Sequence, residues 1–359
     1  MSAAPRLYFI DALRAFAILM MLQGHFISGL LDPIYKDTSN AFYNFWLYCR
    51  GFTAPVFFTI TGWVFTFLLL RNNTQGWQNP RVKKGLKRTL ELLAWGYLLR
   101  LNLPMLLQGK INTSFLYPDV LQIIGLSLSF IILIYLLFGF LHRWTGGVFL
   151  VMGLLIFLCE PLYVDLTFPQ LPNYIAGYLT KANKGVFYLF PWLGYVCIGS
   201  FIAYLFNSKT EQLWAWGLSF LALGYWFIAK SSAFLIDLEF FTGLEVFRKV
   251  AYNNFLFIRL GDVFVLFGTF ILLNDYLKKG LWTKIGSKTL EIYIVHYFIF
   301  YGSLFGIGLY KYFKYSWSFS AVIFGALIFM IVCSGLVLID DRYRKNFLTF
   351  LRNKFNAIR

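Results

Sequence analysis

Apolar runs of about twenty residues, parted by short polar stretches, recur from one end of the chain to the other. Each is long enough to carry a helix across the hydrocarbon core of a bilayer, which takes about 20 residues. The pattern predicts ten helices, at 7–30, 43–70, 86–107, 119–141, 146–164, 186–207, 212–230, 256–277, 289–310 and 318–339. The runs are too long and too uniformly apolar for barrel strands. The expected fold is therefore all-α, a polytopic integral membrane protein with about ten transmembrane helices. No hydrophilic block is large enough for a separate soluble domain, so residues 1–340 read as one transmembrane domain and 341–359 as a basic cytoplasmic tail. The first run resembles a signal peptide in position only. It is longer than a typical h-region, carries charges inside and lacks a small-x-small cleavage site, so a retained helix is expected.

Composition agrees. Of 359 residues, 59% are hydrophobic and only 13% charged, where a soluble domain carries roughly 25%. The net charge of +16 might suggest nucleic acid, but its distribution excludes that partner. With the N-terminus inside, Lys and Arg concentrate at Arg6, 71–88, Arg143, Lys209, 278–288 and the tail after Asp341, as the positive-inside rule requires. Both termini are thus expected in the cytoplasm, the tail against an anionic leaflet. The basic segments 71–88 and 278–288 anchor the topology by default; Arg81, Lys83 and Lys84 would also attract a phosphorylated cytosolic ligand. The two longest outer segments, roughly 165–185 and 231–255, read as loops that cap an outward cavity or dip into the bilayer. Cys49, Cys159, Cys197 and Cys333 show no CxxC spacing and read as core residues.

Candidate chemistry centres on the first helix, which holds Asp11, Arg14 and His25 inside an apolar run. Ionisable groups at membrane depth are costly and usually face a cavity or a substrate path. Arg14 and His25 are eleven positions apart, close to three helical turns, so they share a face about 16 Å apart. Asp11 lies one turn before Arg14, within reach of an ion pair. His25 suits a general base near neutral pH. The structural alternative is an Asp–Arg pair beside a packing histidine. In the second helix Gly51, Thr59, Thr61 and Gly62 allow close packing and Pro55 a kink. Asp119 is a candidate N-cap, and Gln122, one turn on, is expected to point into the membrane. Glu160 reads as a snorkelling residue. In Ile285-Gly-Ser-Lys-Thr-Leu-Glu-Ile-Tyr-Ile-Val-His296, Ser287 or Thr289 would cap a helix and Glu291 would favour its dipole. His296 is expected in the inner half of the membrane, where it need not share a site with His25. His142, beside Arg143, reads as a solvated turn residue. Three histidines on separate helices offer no metal-ligand spacing.

The Arg-x10-His pattern of Arg14 and His25, after Ile10-Asp-Ala-Leu, resembles the first helix of the membrane-bound acyltransferase family 3 superfamily. That superfamily includes the bacterial relatives of heparan-alpha-glucosaminide N-acetyltransferase. Pro55-Val-Phe-Phe-Thr-Ile-Thr-Gly62 is similar to the second-helix motif of both branches. Asp119-Val-Leu-Gln-Ile-Ile-Gly125 resembles a segment of the N-acetyltransferase branch, and Thr289 to His296 a late helix. Ala15 stands where the family usually has Gly, and Thr61 where it has Ser. The resemblance implies transfer of an acyl group, usually acetyl, from cytosolic acyl-CoA to a hydroxyl or amine of an extracytoplasmic glycan or lipid-linked sugar. It implies His25 as base or acyl carrier, Arg14 on CoA or the developing charge, and Asp11 orienting Arg14. Arg81, Lys83 and Lys84 would meet CoA, and Asp119, Gln122, Glu291 and His296 the acceptor. Acetyl-CoA or another acyl-CoA is the co-substrate, with no metal, and the expected location is the bacterial inner membrane. Homo-oligomerisation stays open. The competing class is a transporter or flippase using Asp11, Arg14 and His25 as a charge or proton relay.

Overall fold

The structure is a computed structural model that describes residues 7–71, 74–141, 144–183, 187–207, 212–278 and 280–356, with backbone alone at 113, 114, 183, 207 and 343–356. Arg6, His142, Arg143, Lys209 and Lys279 lie outside the described residues. Helix α1 spans Tyr8–Leu30, α2 Ala41–Gly51 and α3 Thr53–Leu70. Pro80–Leu98 forms α4, Leu103–Leu107 α5, Val120–Phe138 α6 and Trp144–Leu158 α7. The short α8 (Glu160–Tyr163) and α9 (Asn173–Ala176) precede α10, Leu189–Asn207. Then come α11 (Leu213–Thr242), α12 (Glu245–Tyr252) and α13 (Phe255–Leu272). Last are α14 (Leu281–Ser287), α15 (Thr289–Tyr301), α16 (Leu309–Phe313) and α17 (Phe319–Asn356).

The chain is an all-helical, polytopic membrane protein. Among the described residues seven helices are long and apolar enough to cross a bilayer: Tyr8–Leu30, Ala41–Leu70, Val120–Leu141, Leu189–Phe206, Leu213–Thr242, Phe255–Leu272 and Phe319–Arg342. Helices α7 and α15 are apolar but shorter.

Several boundaries differ from the predicted ones, for local reasons. The predicted basic loop 71–88 is helical from Pro80, because Asn79 caps it: Asn79 Oδ1 accepts from the Arg81 N–H at 2.9 Å, and Pro80 occupies the first turn. The Asn79 side chain also donates to the Leu69 carbonyl and to Tyr135 Oη, at 3.0 and 3.2 Å. Arg81, Lys83 and Lys84 therefore sit on a helix rather than a loop. The predicted outer loop 231–255 is mostly helix as well. Its Lys, Ser, Asp and Glu residues do not break a helix, and α11 stops only at Gly243, which takes the left-handed conformation (φ 69°). Gly302, also at φ 69°, ends α15 at Tyr301 rather than 310. Helix α17 continues past 339 to Asn356.

The chain forms two compact units, one of residues 1–50 and 274–359, the other of 51–273. In the first, α1 packs on α14, α15 and α17. Gly286 of α14 permits the closest of these approaches: a Cβ there would lie 1.8 Å from the Asp11 carbonyl oxygen. The far end of α1 is tied down by backbone bonds from Trp317 N to Leu30 O (2.9 Å) and from Asp32 N to Trp317 O (3.0 Å). In the second unit, α11 and α13 cross through facing glycines. A Cβ on Gly224 would lie 2.7 Å from Gly261 O, and one on Gly268 would lie 2.7 Å from Gly217 O. Such small-residue seams let membrane helices approach closely without a hydrophobic driving force between them. Helices α3 and α10 pack in the same way, with α4 against α6 beside them.

Candidate active site

Helix α1 presents Arg14 and His25, and α15 runs beside it in the same direction. Arg14 Nη2 donates to Thr289 Oγ1 at 2.9 Å, and His25 Nδ1 lies 2.6 Å from Tyr301 Oη. Eleven residues of α1 (about 16 Å) thus match twelve of α15 (about 18 Å), so the two helices stay in register along the whole span. The register follows from α14. This short helix packs on the backbone of Asp11, which lifts the start of α15 to the level of Arg14 instead of leaving it at the helix end. Thr289 is consequently the acceptor for Arg14. Neither it nor Ser287 caps α15, and the N-cap Lys288 contributes no side-chain bond; Ser287 Oγ donates instead to Lys284 O.

The same lift corrects the expected depth of His296. It lies beside His25, with ring centroids 5.4 Å apart and planes tilted by 43°. His296 is fully buried (0% exposed). Its Nδ1 donates to the Tyr293 carbonyl, which can only accept, and Nε2 has no hydrogen-bond partner. Aromatic rings close the site: Tyr293 and Tyr297 lie 4.8 and 4.9 Å from the His296 ring, and Tyr301 lies 4.9 Å from Tyr297 and 5.8 Å from Tyr310 of α16. Tyr301, at 36% exposure, is the accessible end of this group, and His25 is half-buried. On the other side of α1, Trp46 Nε1 donates to Gln23 Oε1 at 2.7 Å, and the stem of Arg50 packs 3.5 Å from a Cβ position on Gly24.

Glu291 is not brought to the histidines. It pairs with Lys288 at 3.2 Å, and Lys288 also reaches Asp341 at 2.8 Å. The Asp341 carboxylate, more than Glu291, holds the Lys288 ammonium above its ordinary range.

The other candidates lie in the second unit. Asp119 caps α6, and with Gln122 it forms a reciprocal capping box: the Asp119 carboxylate accepts from the Gln122 backbone N–H, and Gln122 Oε1 accepts from Asp119 N at 3.2 Å; Asp119 Oδ1 also accepts from Val120 N at 2.8 Å. Gln122 therefore does not point into the membrane. It is fully buried and folded back on its own helix start, with Nε2 lacking a partner. Arg100 completes the group, its Nη2 3.0 Å from Asp119 Oδ2 and its Nη1 3.0 Å from Tyr117 O, while Tyr97, three residues before Arg100, shares a hydrogen bond with Tyr178. Arg81, Lys83 and Lys84 sit on the first turns of α4, about 24–28 Å along the axis from Arg100, which follows its far end. The sequence reading missed one pair of the same kind as Asp11 and Arg14. Arg259 and Asp262, three apart in the apolar α13, form a buried ion pair at 2.9 Å against Gly51. Their spacing was the available signal. Tyr301 carried none: its partner His25 is 276 positions away. Among the described residues no group of His, Cys, Asp and Glu has metal-binding geometry.

The family model for the heparan-alpha-glucosaminide N-acetyltransferase catalytic domain matches residues 6–235. The match holds Asp11, Arg14, His25, Arg81, Lys83, Lys84, Asp119 and Gln122. It ends within α11, so α12 to α17, with Glu291, His296 and Tyr301, lie beyond it. No curated protein matches the chain.

Proposed function

For a chain that belongs to the heparan-alpha-glucosaminide N-acetyltransferase catalytic family, and is thereby a membrane acetyltransferase, we propose that the donor is cytosolic acetyl-CoA and the acceptor a hydroxyl or amine of an extracytoplasmic glycan or glycolipid. One observation carries this reading. Within the matched segment a cation and an imidazole share one face of a membrane helix, and each is held by a side chain of α15. The pairing suits a thioester brought in from one side and an acceptor from the other.

In the transfer, the acceptor oxygen or nitrogen bonds to the acetyl carbon, the C–S bond breaks, and the acceptor's proton must be removed. His25 takes that proton, or first takes the acetyl group itself and passes it on. Arg14 binds CoA or the charge that develops on the thioester oxygen, and Asp11 orients Arg14. Arg81, Lys83 and Lys84, on the first turns of α4, raise the local concentration of the anionic donor. Asp119 and Gln122, joined to each other at the start of α6 and to Arg100 through Asp119, serve that helix's cap. The basic bias of the predicted inner segments supports cytoplasmic termini.

The test is release of CoA from acetyl-CoA by the purified protein in lipid nanodiscs, with glucosamine, glucose or water alone as acceptor. His25→Ala is expected to lower turnover by at least about 100-fold, the usual worth of a positioned acid–base group, while the protein inserts and melts as before. Full turnover in that variant would overturn the assignment, and CoA-independent uptake of sugar into vesicles would point to a carrier.

A further inference from the structure

Thr289 uses its hydroxyl in an unusual way. Threonines inside helices often turn the hydroxyl back onto the carbonyl one turn earlier, as Thr59, Thr61 and Thr269 do. Thr289, buried in the first turn of α15, instead accepts from Arg14 Nη2 at 2.9 Å. A hydroxyl holds the guanidinium without cancelling its charge. Arg14 has other N–H groups to give, and the Thr289 oxygen, having accepted, still carries a proton of its own to donate. The next cation along the chain, Lys288, is engaged by Glu291 and Asp341 at 3.2 and 2.8 Å. Arg14 and Thr289 thus set a cation and a hydroxyl donor side by side, the chemistry that receives a phosphate oxygen.

The distance from this pair to His25 says which phosphate. Eleven residues of helix separate Arg14 from His25 by about 16 Å, and Thr289 holds the guanidinium at the level of the first turn of α15. An acetyl carbon attacked beside His25 is out of reach of that guanidinium, so Arg14 does not meet the charge developing on the thioester oxygen. In CoA, thirteen covalent bonds lead from the thioester sulfur along the pantetheine arm to the nearest phosphorus. An extended chain advances about 1.2 Å per bond, which makes the arm about 16 Å long.

We propose that Arg14 and Thr289 bind the phosphate at the root of the donor's pantetheine arm, and that their distance from His25 measures that arm. The proposal rests on the acetyl-transfer reading and specifies how the donor lies: phosphate at Arg14 and Thr289, arm along α1, thioester at His25. The covalent step is unchanged. The acceptor's oxygen or nitrogen bonds to the acetyl carbon, the C–S bond breaks, CoA leaves as thiolate, and His25 takes the acceptor's proton. Arg14 and Thr289 are binding residues, remote from the reacting atoms.

A donor series on the full-length protein in nanodiscs tests this. Thr289→Val keeps the side-chain shape and removes the hydroxyl. It should raise the KM for acetyl-CoA and for acetyl-4′-phosphopantetheine about tenfold, the effect of losing a charge-assisted hydrogen bond, with kcat unchanged. The kcat/KM for acetyl-pantetheine, which lacks the phosphate, should stay at the wild-type value, and Thr289→Ser should restore the other two donors. Calorimetric binding of CoA alone, which needs no turnover, should weaken by the same factor. An equal loss with all three donors would overturn the phosphate assignment. Should Thr289→Val fail to insert, the wild-type protein decides, because equal use of acetyl-pantetheine and acetyl-4′-phosphopantetheine also overturns it. A phosphorylated acetyl donor shortened by the β-alanine unit, four bonds or about 5 Å, should bind normally and transfer at least about 100-fold more slowly, its thioester held short of His25. Normal transfer from that donor overturns the length match. If these results go against the proposal while His25→Ala is inactive, the phosphate anchor fails and the acetyl-transfer reading stands. If the wild-type protein releases no CoA from acetyl-CoA, that reading fails with it.

Discussion

At the scale of single residues, the first helix announces its own chemistry. Asp11, Arg14 and His25 stand out because an ionisable side chain in an apolar run has a cost that something must offset. The same criterion applied along α13 finds Arg259 and Asp262, so that omission was of reading and not of signal. Tyr301 is different. It is one of 23 tyrosines, many of them suited to a membrane interface, and only its hydroxyl's distance from His25 sets it apart. Arg14 and Thr289 allow a further test at this scale. Arg14→Lys keeps the charge but loses the planar fork that reaches Thr289, and is expected to raise the KM for acetyl-CoA about tenfold, the worth of a charge-assisted hydrogen bond, with little change in kcat. Steady-state kinetics over a range of acetyl-CoA concentrations read this directly.

At the scale of elements, the apolar pattern located helix cores well and helix ends poorly. The ends are set by chemistry that a hydropathy window averages away: Asn79-Pro80 starting α4, Asp119 with Gln122 starting α6, Gly243 and Gly302 ending α11 and α15. The Asp-x-x-Gln capping box was legible from spacing alone, yet Gln122 read as a membrane-facing group because its polarity was weighed without its neighbour. Asp119→Ala removes both the cap and the partner of Arg100. With both side chains almost buried, the stranded guanidinium makes this cost about 3–5 kcal/mol, measurable as a lower melting temperature. The double variant Arg100→Met with Asp119→Asn should recover much of the loss. Gly286 marks the other sensitive contact. Gly286→Val drives a side chain into the Asp11 backbone and should cost about 1–3 kcal/mol. Because α14 sets the height of α15, it should also reduce acetyl transfer although it lies far from His25 in sequence.

At the scale of the whole molecule, the two ends of the chain build one unit, and the central 51–273 builds the other. The first helix has its partners α14, α15 and α17 more than 250 residues away. A chain ended at residue 273 keeps the whole family-matched segment yet lacks Thr289, His296 and Tyr301. It is expected to insert into membranes, resisting carbonate extraction, and to release no CoA from acetyl-CoA; turnover by that truncated chain would show that α15 is dispensable.

The sequence by itself determined that the protein is a bundle of membrane helices, because the length and apolarity of a spanning segment are local properties that need no partner. It likewise marked Arg14 and His25, since helical periodicity puts them on one face whatever surrounds them. Only the tertiary structure decided what that face meets. The approach at Gly286 fixes the height of α15 on α1, and that height brings Thr289 to Arg14, and His296 and Tyr301 to His25. Register between two helices so far apart in the chain depends on which surfaces pack, and no local pattern in either helix encodes it.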